Sequence, residues 1–225
     1  LRVREAMSLL LRRDKYDENV LNDGTKKAEG LLPMGICFNS QKQFMRDASK
    51  YKLKHNKKEA KKSLSKLLKE YKLKNFTFTL TYTKEYPQSK LIASEIKDLE
   101  STKQFKVYLK EVNTVDYEQA ELSLLRIKGT CNDAYDYLAP LAVNNQGINH
   151  YCSNEFNNFC TAAVNAQSQD ERYYAFLNAE RVAMRDYALI PVIHQGQRYV
   201  INVSVTGLIC NFSGAPYSFR YMSMH

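Results

Sequence analysis

Two carboxylates, Asp133 and Asp136, stand just past the run ELSLLRIKG at 121–129, which reads as a strand closing on a glycine. Open α/β sheets make their ligand contacts at the carboxyl ends of strands, so carboxylates here can receive a cation, an amine or a metal. Aspartate is also a preferred helix cap, and on spacing alone capping is the stronger reading. Cys131 with His150 or His194 would form a thiol–imidazole pair suited to nucleophilic catalysis. Yet the four histidines, His55, His150, His194 and His225, are isolated in sequence, and nothing places one beside a nucleophile. There is no G-x-G-x-x-G, Walker loop, H-E-x-x-H or G-x-S-x-G. The expectation is a non-enzymatic protein without a cofactor. The five cysteines, Cys37, Cys131, Cys152, Cys160 and Cys210, form no C-x-x-C pair and have no histidine at zinc spacing, so no metal site is expected.

A second candidate surface is the stretch Lys50 to Lys74, with eleven lysines. Residues 1–75 carry 20 basic and 9 acidic side chains and hold all of the chain's formal excess of +9. Tyr51 and Tyr71, interleaved with the lysines, would suit a phosphate-tracking patch with stacking rings. However, Ala60, Leu64, Leu67, Leu68 and Tyr71 recur at helical spacing and leave the lysines on the opposite face. Asn56 followed by Glu59 reads as a helix start. A solvated helix face is therefore expected, and no nucleic-acid partner.

These candidates need a scaffold. At 225 residues, 44% hydrophobic and 25% charged, the chain is globular, one large domain or two small ones. The spacing predicts a helix over 3–21 ended by Asn22-Asp23-Gly24, then a surface loop through TKKAEGLLPMGICFNS. After the lysine-rich helix, Phe76, Phe78, Leu80 and Tyr82 alternate with threonines as a strand. A helix from Pro87 carries Leu91, Ile92, Ile96 and Leu99, and a second strand carries Phe105, Val107 and Leu109. That is a βαβ unit, which requires parallel strands. Two more helices follow, one from Ser153 with Phe156, Phe159, Cys160 and Ala163, and one opening on the capping box of Ser168 and Glu171. The stretch ALIPVIHQGQRYVINVSVTGL reads as a hairpin or two strands turning near Gln195 and Gly196. The uncharged run Tyr199 to Phe219 begins with strand-like alternation rather than as a membrane helix. Any targeting segment is expected upstream of Leu1. The fold class expected is α/β, a mixed sheet with flanking helices.

In this order the segments resemble the family 5 extracellular solute-binding proteins. VREAMSLLLRRDKYDENVLNDGTKKAEGLLPMG is similar to the V-R-x-A, A-x-D-R, V-L-x-G and P-P-G series that opens that family's second lobe. NKKEAKKSLSKL resembles its A-K-x-L-L helix, FTFTLTYTKEYPQSKLIASEIKDLE its strand and helix, and DERYYAFLNAERVAMRDYALIPVI its Y-x-x-A-E helix leading to I-P-V. KGTCNDAYDYL resembles the G-W-C-A-D segment of the oligopeptide-binding members. Arg12 stands where the family usually has Asp, Thr130 where it has tryptophan, and the helix between the second and third strands is shortened to NTVDYEQ.

The resemblance implies the second lobe of a class II periplasmic-binding-protein fold over residues 1–203, with a tail, 204–225, that returns to a first lobe outside this sequence. It implies a peptide receptor of an ABC importer, extracytoplasmic as a periplasmic protein or membrane-anchored lipoprotein, with an oligopeptide ligand, permease subunits and a companion lobe as partners. The site it implies is Gly129, Thr130, Cys131, Asn132 and Asp133: main-chain groups pair with the peptide, and Asp133 receives its N-terminal ammonium. On this resemblance Asp133 becomes a ligand residue, while Asp136 stays a cap. The same scaffold carrying nickel, haem or another small solute is the nearest alternative, and a basic nucleic-acid-binding domain the alternative of another class.

Overall fold

The structure, a computed structural model, describes residues 1–15, 24–48, 51, 53–117, 119–142, 151–196, 200–210 and 217–225. The helix end at 20–23, the Asn/Gln-rich stretch with His150, and residues 197–199 of the expected hairpin lie outside the described residues.

The βαβ unit forms as its spacing requires. Strand β2 (Phe76–Thr83) pairs in parallel with β3 (Phe105–Val112) across α5 (Pro87–Lys97), in full register from Phe76 against Phe105 to Thr83 against Val112. A short β4 (Leu122–Ser123) joins the other side of β2, giving the order β3-β2-β4, parallel throughout. Where β4 joins its second side, at Leu80 and Thr81, β2 is flanked on both sides and Thr81 is buried along with Leu80 and Tyr82, whereas Thr77 at its start is exposed. On α5, Ile92, Ala93 and Ile96 face inward while Leu91 is exposed. Antiparallel pairing also occurs, but in separate two-stranded ribbons, so the architecture is α/β with parallel and antiparallel elements side by side.

Helix α1 (Arg2–Leu10) and α4 (Lys57–Glu70) pack with α5 on this sheet through Ala6, Met7, Leu10, Ala60, Leu64, Ile92 and Ile96. The Asn56 cap is made as expected: its side chain accepts from the Glu59 N–H at 3.1 Å and donates to the Glu59 carboxylate at 2.8 Å. Lys57, Lys58, Lys62, Lys66 and Lys69 face solvent, and Tyr71 ends the helix exposed rather than within its apolar stripe.

The structure corrects several expectations, among them the strand read over 121–129, of which only β4 at Leu122–Ser123 forms. The first helix stops at Leu10 instead of Leu21, because Leu11 turns extended (φ −69°, ψ 125°). A three-residue turn, α2 (Arg13–Lys15), follows. Here Arg13 folds inward, its guanidinium donating to the Ser8 carbonyl at 3.0 Å, the Ser8 hydroxyl at 2.9 Å and the Pro191 carbonyl at 2.7 Å. Nor, among the described residues, does the 188–208 stretch pair with itself as a hairpin; two strands form instead. Strand β5 (Ile193–His194) pairs antiparallel with β1 (Lys26–Lys27), and β6 (Val205–Thr206) with β9 (Ser223–Met224).

A second core lies under α7 (Asn154–Val164) and α8 (Gln169–Arg185), built on Phe156, Cys160, Tyr173, Phe176 and Ala179. Ser153 and Ser168 cap these helices, accepting from the Phe156 and Glu171 N–H groups, each at 3.2 Å. Short helices α3 (Met45–Ala48) and α6 (Tyr135–Leu138) pack against this core through Met45, Tyr137 and Leu138. After β6, β7 (Ile209–Cys210) pairs with β8 (Tyr217–Ser218), forming a ribbon nested inside β6–β9. Val200, Val203, Phe219, Tyr221 and Met224 are exposed along the tail. Among the described residues no helix is long and apolar enough to cross a membrane.

Candidate functional site

The chain leaves the sheet at β4 and crosses to the helical core, and the crossing carries the candidate residues. Leu122 and Leu124 pack on the sheet core; Ile127 and Ala134 pack on the helical one. The Leu124 N–H donates to the Thr81 carbonyl at 2.9 Å and ends the ladder. Beyond it, residues 125–128 have no regular secondary structure, and among the described residues no main-chain hydrogen bond engages them. Main chain without partners at the carboxyl end of a parallel sheet is able to accept an added strand. Beside it the Arg126 guanidinium lies 4.2 Å from the centroid of Tyr86, the residue preceding α5.

Gly129 is buried against Tyr137. A Cβ here would lie 2.5 Å from the Tyr137 hydroxyl oxygen, so the glycine admits an aromatic ring of the chain itself. Gly129→Ala is expected to destabilise the protein by about 1 to 2 kcal/mol through overpacking, read as a drop in melting temperature.

Asp136 folds back on the loop. Its Oδ2 accepts from the Thr130 N–H at 2.5 Å, the Thr130 hydroxyl at 2.7 Å and the Cys131 N–H at 3.0 Å. Burial pushes this carboxyl up, but the Thr130 hydroxyl and the two N–H groups outweigh it and hold it below its ordinary range. Asp136 lies inside α6 and stabilises the loop ahead of it rather than capping the helix, which corrects the cap role expected for it. Partial desolvation and the neighbouring Asp136 carboxylate keep the exposed Cys131 thiol raised, the opposite of an activated nucleophile. The Cys131–His194 pair does not form, since His194 Nε2 lies buried without a hydrogen-bond partner; His150 is outside the described residues.

Asn132 turns the other way and accepts the Cys37 N–H at 2.9 Å, tying the loop to residues 37–39. Asp133 does local capping work: its Oδ1 accepts the Tyr135 N–H at 2.8 Å. It also has a partner that sequence reasoning missed. Arg172, in the first turn of α8, donates from Nε to Oδ2 at 2.9 Å and from Nη2 to Oδ1 at 3.1 Å, a two-pronged pair. The guanidinium is itself fixed, donating from Nη1 to the Ala163 carbonyl at 2.8 Å and lying 4.8 Å from the Phe176 ring centroid. Both partners remain partly accessible, at 27% for the Asp133 side chain and 34% for that of Arg172. Only the four-residue spacing of Arg172 and Phe176 on one helix face was visible in sequence; the partner 39 residues away was not. Among the described residues no cluster of three or more His, Cys, Asp or Glu could hold a metal.

No family model matches the chain, and no curated protein matches its sequence. Solved structures do match. The substrate-binding domain of an oligopeptide ABC transporter from Bacillus anthracis is similar over 99% of this chain and 45% of its own, with TM-score 0.85 at 20% identity. The pheromone receptor PrgZ, described with its mode of peptide binding, is similar over 100% of this chain and 45% of its own, with TM-score 0.81 at 19% identity. Listeria monocytogenes OppA bound to peptide is similar over 99% of this chain and 44% of its own, with TM-score 0.80 at 22% identity. The chain spans less than half the length of these proteins. It has the fold of a single lobe of the oligopeptide-binding proteins of ABC importers, the fold implied by the resemblance of its ordered segments to the family 5 solute-binding proteins.

Proposed function

We propose that this chain is one lobe of a peptide receptor that serves an ABC importer. The observation that carries the reading is the main chain of residues 125–128, which continues from β4 at the carboxyl edge of the sheet and is unengaged among the described residues. A receptor for many peptide sequences draws affinity from what all peptides share, main-chain N–H and C=O groups and charged ends, and strand addition supplies that. The N–H groups of Thr130 and Cys131 are engaged by Asp136. An extended ligand would therefore take its donors from 125–128 and use the carbonyls of Gly129 to Asn132. Its N-terminal ammonium would meet the remaining accessible face of Asp133. Residues 1–203 would form one wall of the cleft, and the tail from 204, with its exposed Phe219, Tyr221 and Met224, would pack on a companion lobe. Permease subunits would receive the ligand outside the cytoplasm.

In the two-lobe protein, Asp133→Ala should weaken a free-amine peptide more than its N-acetylated counterpart, because it removes the carboxylate and leaves the Arg172 charge unopposed beside the ammonium. Calorimetric titration of both peptides checks this. Equal losses would remove Asp133 from ligand contact.

A further inference from the structure

Resting on that peptide-receptor reading, we infer that Arg172 sets the receptor's preference for the state of the peptide's N-terminus by competing for Asp133. A carboxylate offers about four lone-pair positions. The guanidinium takes one on each oxygen, and the Tyr135 N–H takes a second on Oδ1. A single acceptor position is left, on Oδ2, for a third donor. That position lies beside the Arg172 charge, so an arriving ammonium meets a carboxylate already neutralised and a like charge within the same contact. Arg172 cannot readily swing aside, because the Ala163 carbonyl and the Phe176 ring hold its other edge and its face.

The class of ligand follows from this. The site accepts peptides whose N-terminus is blocked, or extends past Asp133, nearly as well as those ending in a free ammonium there. Main-chain contacts along 125–132 supply most of the affinity.

The test measures a free-amine peptide and its N-acetylated form against the two-lobe protein and two variants, with melting temperatures alongside. In the unsubstituted protein the two affinities should agree within about threefold. Arg172→Gln removes the competing charge and should strengthen the free-amine peptide about tenfold, equivalent to about 1.4 kcal/mol, with the acetylated peptide unchanged. Arg172→Lys keeps the charge but loses the fork, and should fall between them. Adding Asp133→Asn to Arg172→Gln should erase the gain, because the two residues act as one unit. A ratio unchanged in Arg172→Gln, or both peptides weakening together, would reduce Arg172 to a structural partner and overturn the inference while leaving the receptor reading in place. Failure of the unsubstituted protein to bind either peptide would overturn the receptor reading itself.

Discussion

Glu180→Ala is expected to lower the unfolding free energy by about 3 to 5 kcal/mol, the cost of breaking a buried ion pair from one side. Glu180 is fully buried in α8, and its Oε1 accepts from the Leu31 and Leu32 N–H groups at 2.9 and 3.1 Å and from the Arg46 guanidinium. Arg46 is 5% exposed and donates as well to the Glu29 carbonyl at 2.9 Å. Truncation at 180 thus strands a buried cation and two backbone donors together. For a chain of this size the melting temperature should fall by about 10 °C. Two further variants separate the contributions. Glu180→Gln keeps an acceptor for Leu31 and Leu32 but not the charge for Arg46, and should be milder than the truncation. Arg46→Met with Glu180→Gln removes the cation and should recover part of the loss. A melting temperature for Glu180→Ala within 2 °C of the parent, on the scale just given, would mean that the network contributes little.

The position of this network is what ties it to the candidate site. Glu180 and Arg172 lie on the same helix, eight residues apart, one anchoring the 29–32 loop and the other Asp133. Gly30 leaves the space that Arg46 occupies, since a Cβ there would overlap the guanidinium. Helix α8 is therefore fixed at one end to the loop that precedes α3 and at the other to the candidate peptide edge. Its rigidity supports the placement of Arg172 that the site requires.

What was legible in sequence is what local chemistry decides. Asn56 with Glu59, and Ser168 with the Glu171 N–H, are contacts made within one helical turn, so residue type and spacing identify them. The βαβ unit was equally clear, because alternation through Phe76 to Tyr82 and a proline at the first turn of α5 leave few other solutions. What escaped depends on contacts between distant segments. The end of α1 at Leu10 is coupled to Arg13 reaching Pro191, 178 residues away. Of the hairpin or two strands expected after Ala188, two strands form, because β5 finds β1 and β6 finds β9. At the site, the third strand was read through Gly129 but ends at Ser123, and the division of labour in the residues beyond it was not legible. Asp136 engages Thr130 and Cys131, Asn132 turns to Cys37, and Asp133 is held by Arg172. No spacing rule encodes those choices, since each is set by which side chain the packed helices bring near.

Lowering the pH from 7 to 4 is expected to destabilise the protein by up to about 3 kcal/mol through His194 alone. Burial, with the Arg46 charge added, pushes this imidazole down to about 4, against a backbone hydrogen bond at Gly30 that works the other way. Its Nε2 has no hydrogen-bond partner among the described residues. The unfolded chain takes up a proton near the ordinary value of 6.5, while the folded chain resists it. Between those two values the unfolded state binds more protons, so stability is complete above about 6.5 and declines as the pH approaches about 4. Depressed carboxylates overlap only the acid end of this window. Hydrogen-bond partners hold Asp136, Asp170 and Asp186 below 3.8 and Glu70 below 4.5, so their contributions begin to fade near those values and are lost mainly below pH 4. Urea unfolding at pH 7, 6, 5 and 4 should show the decline for the parent and, for His194→Gln, which cannot take up the proton, a nearly flat profile from pH 7 to 5 with only the smaller carboxylate decline toward 4. Parallel declines in both proteins would show that another group is responsible. A flat parent profile would show that water reaches the ring and that burial does not govern its protonation.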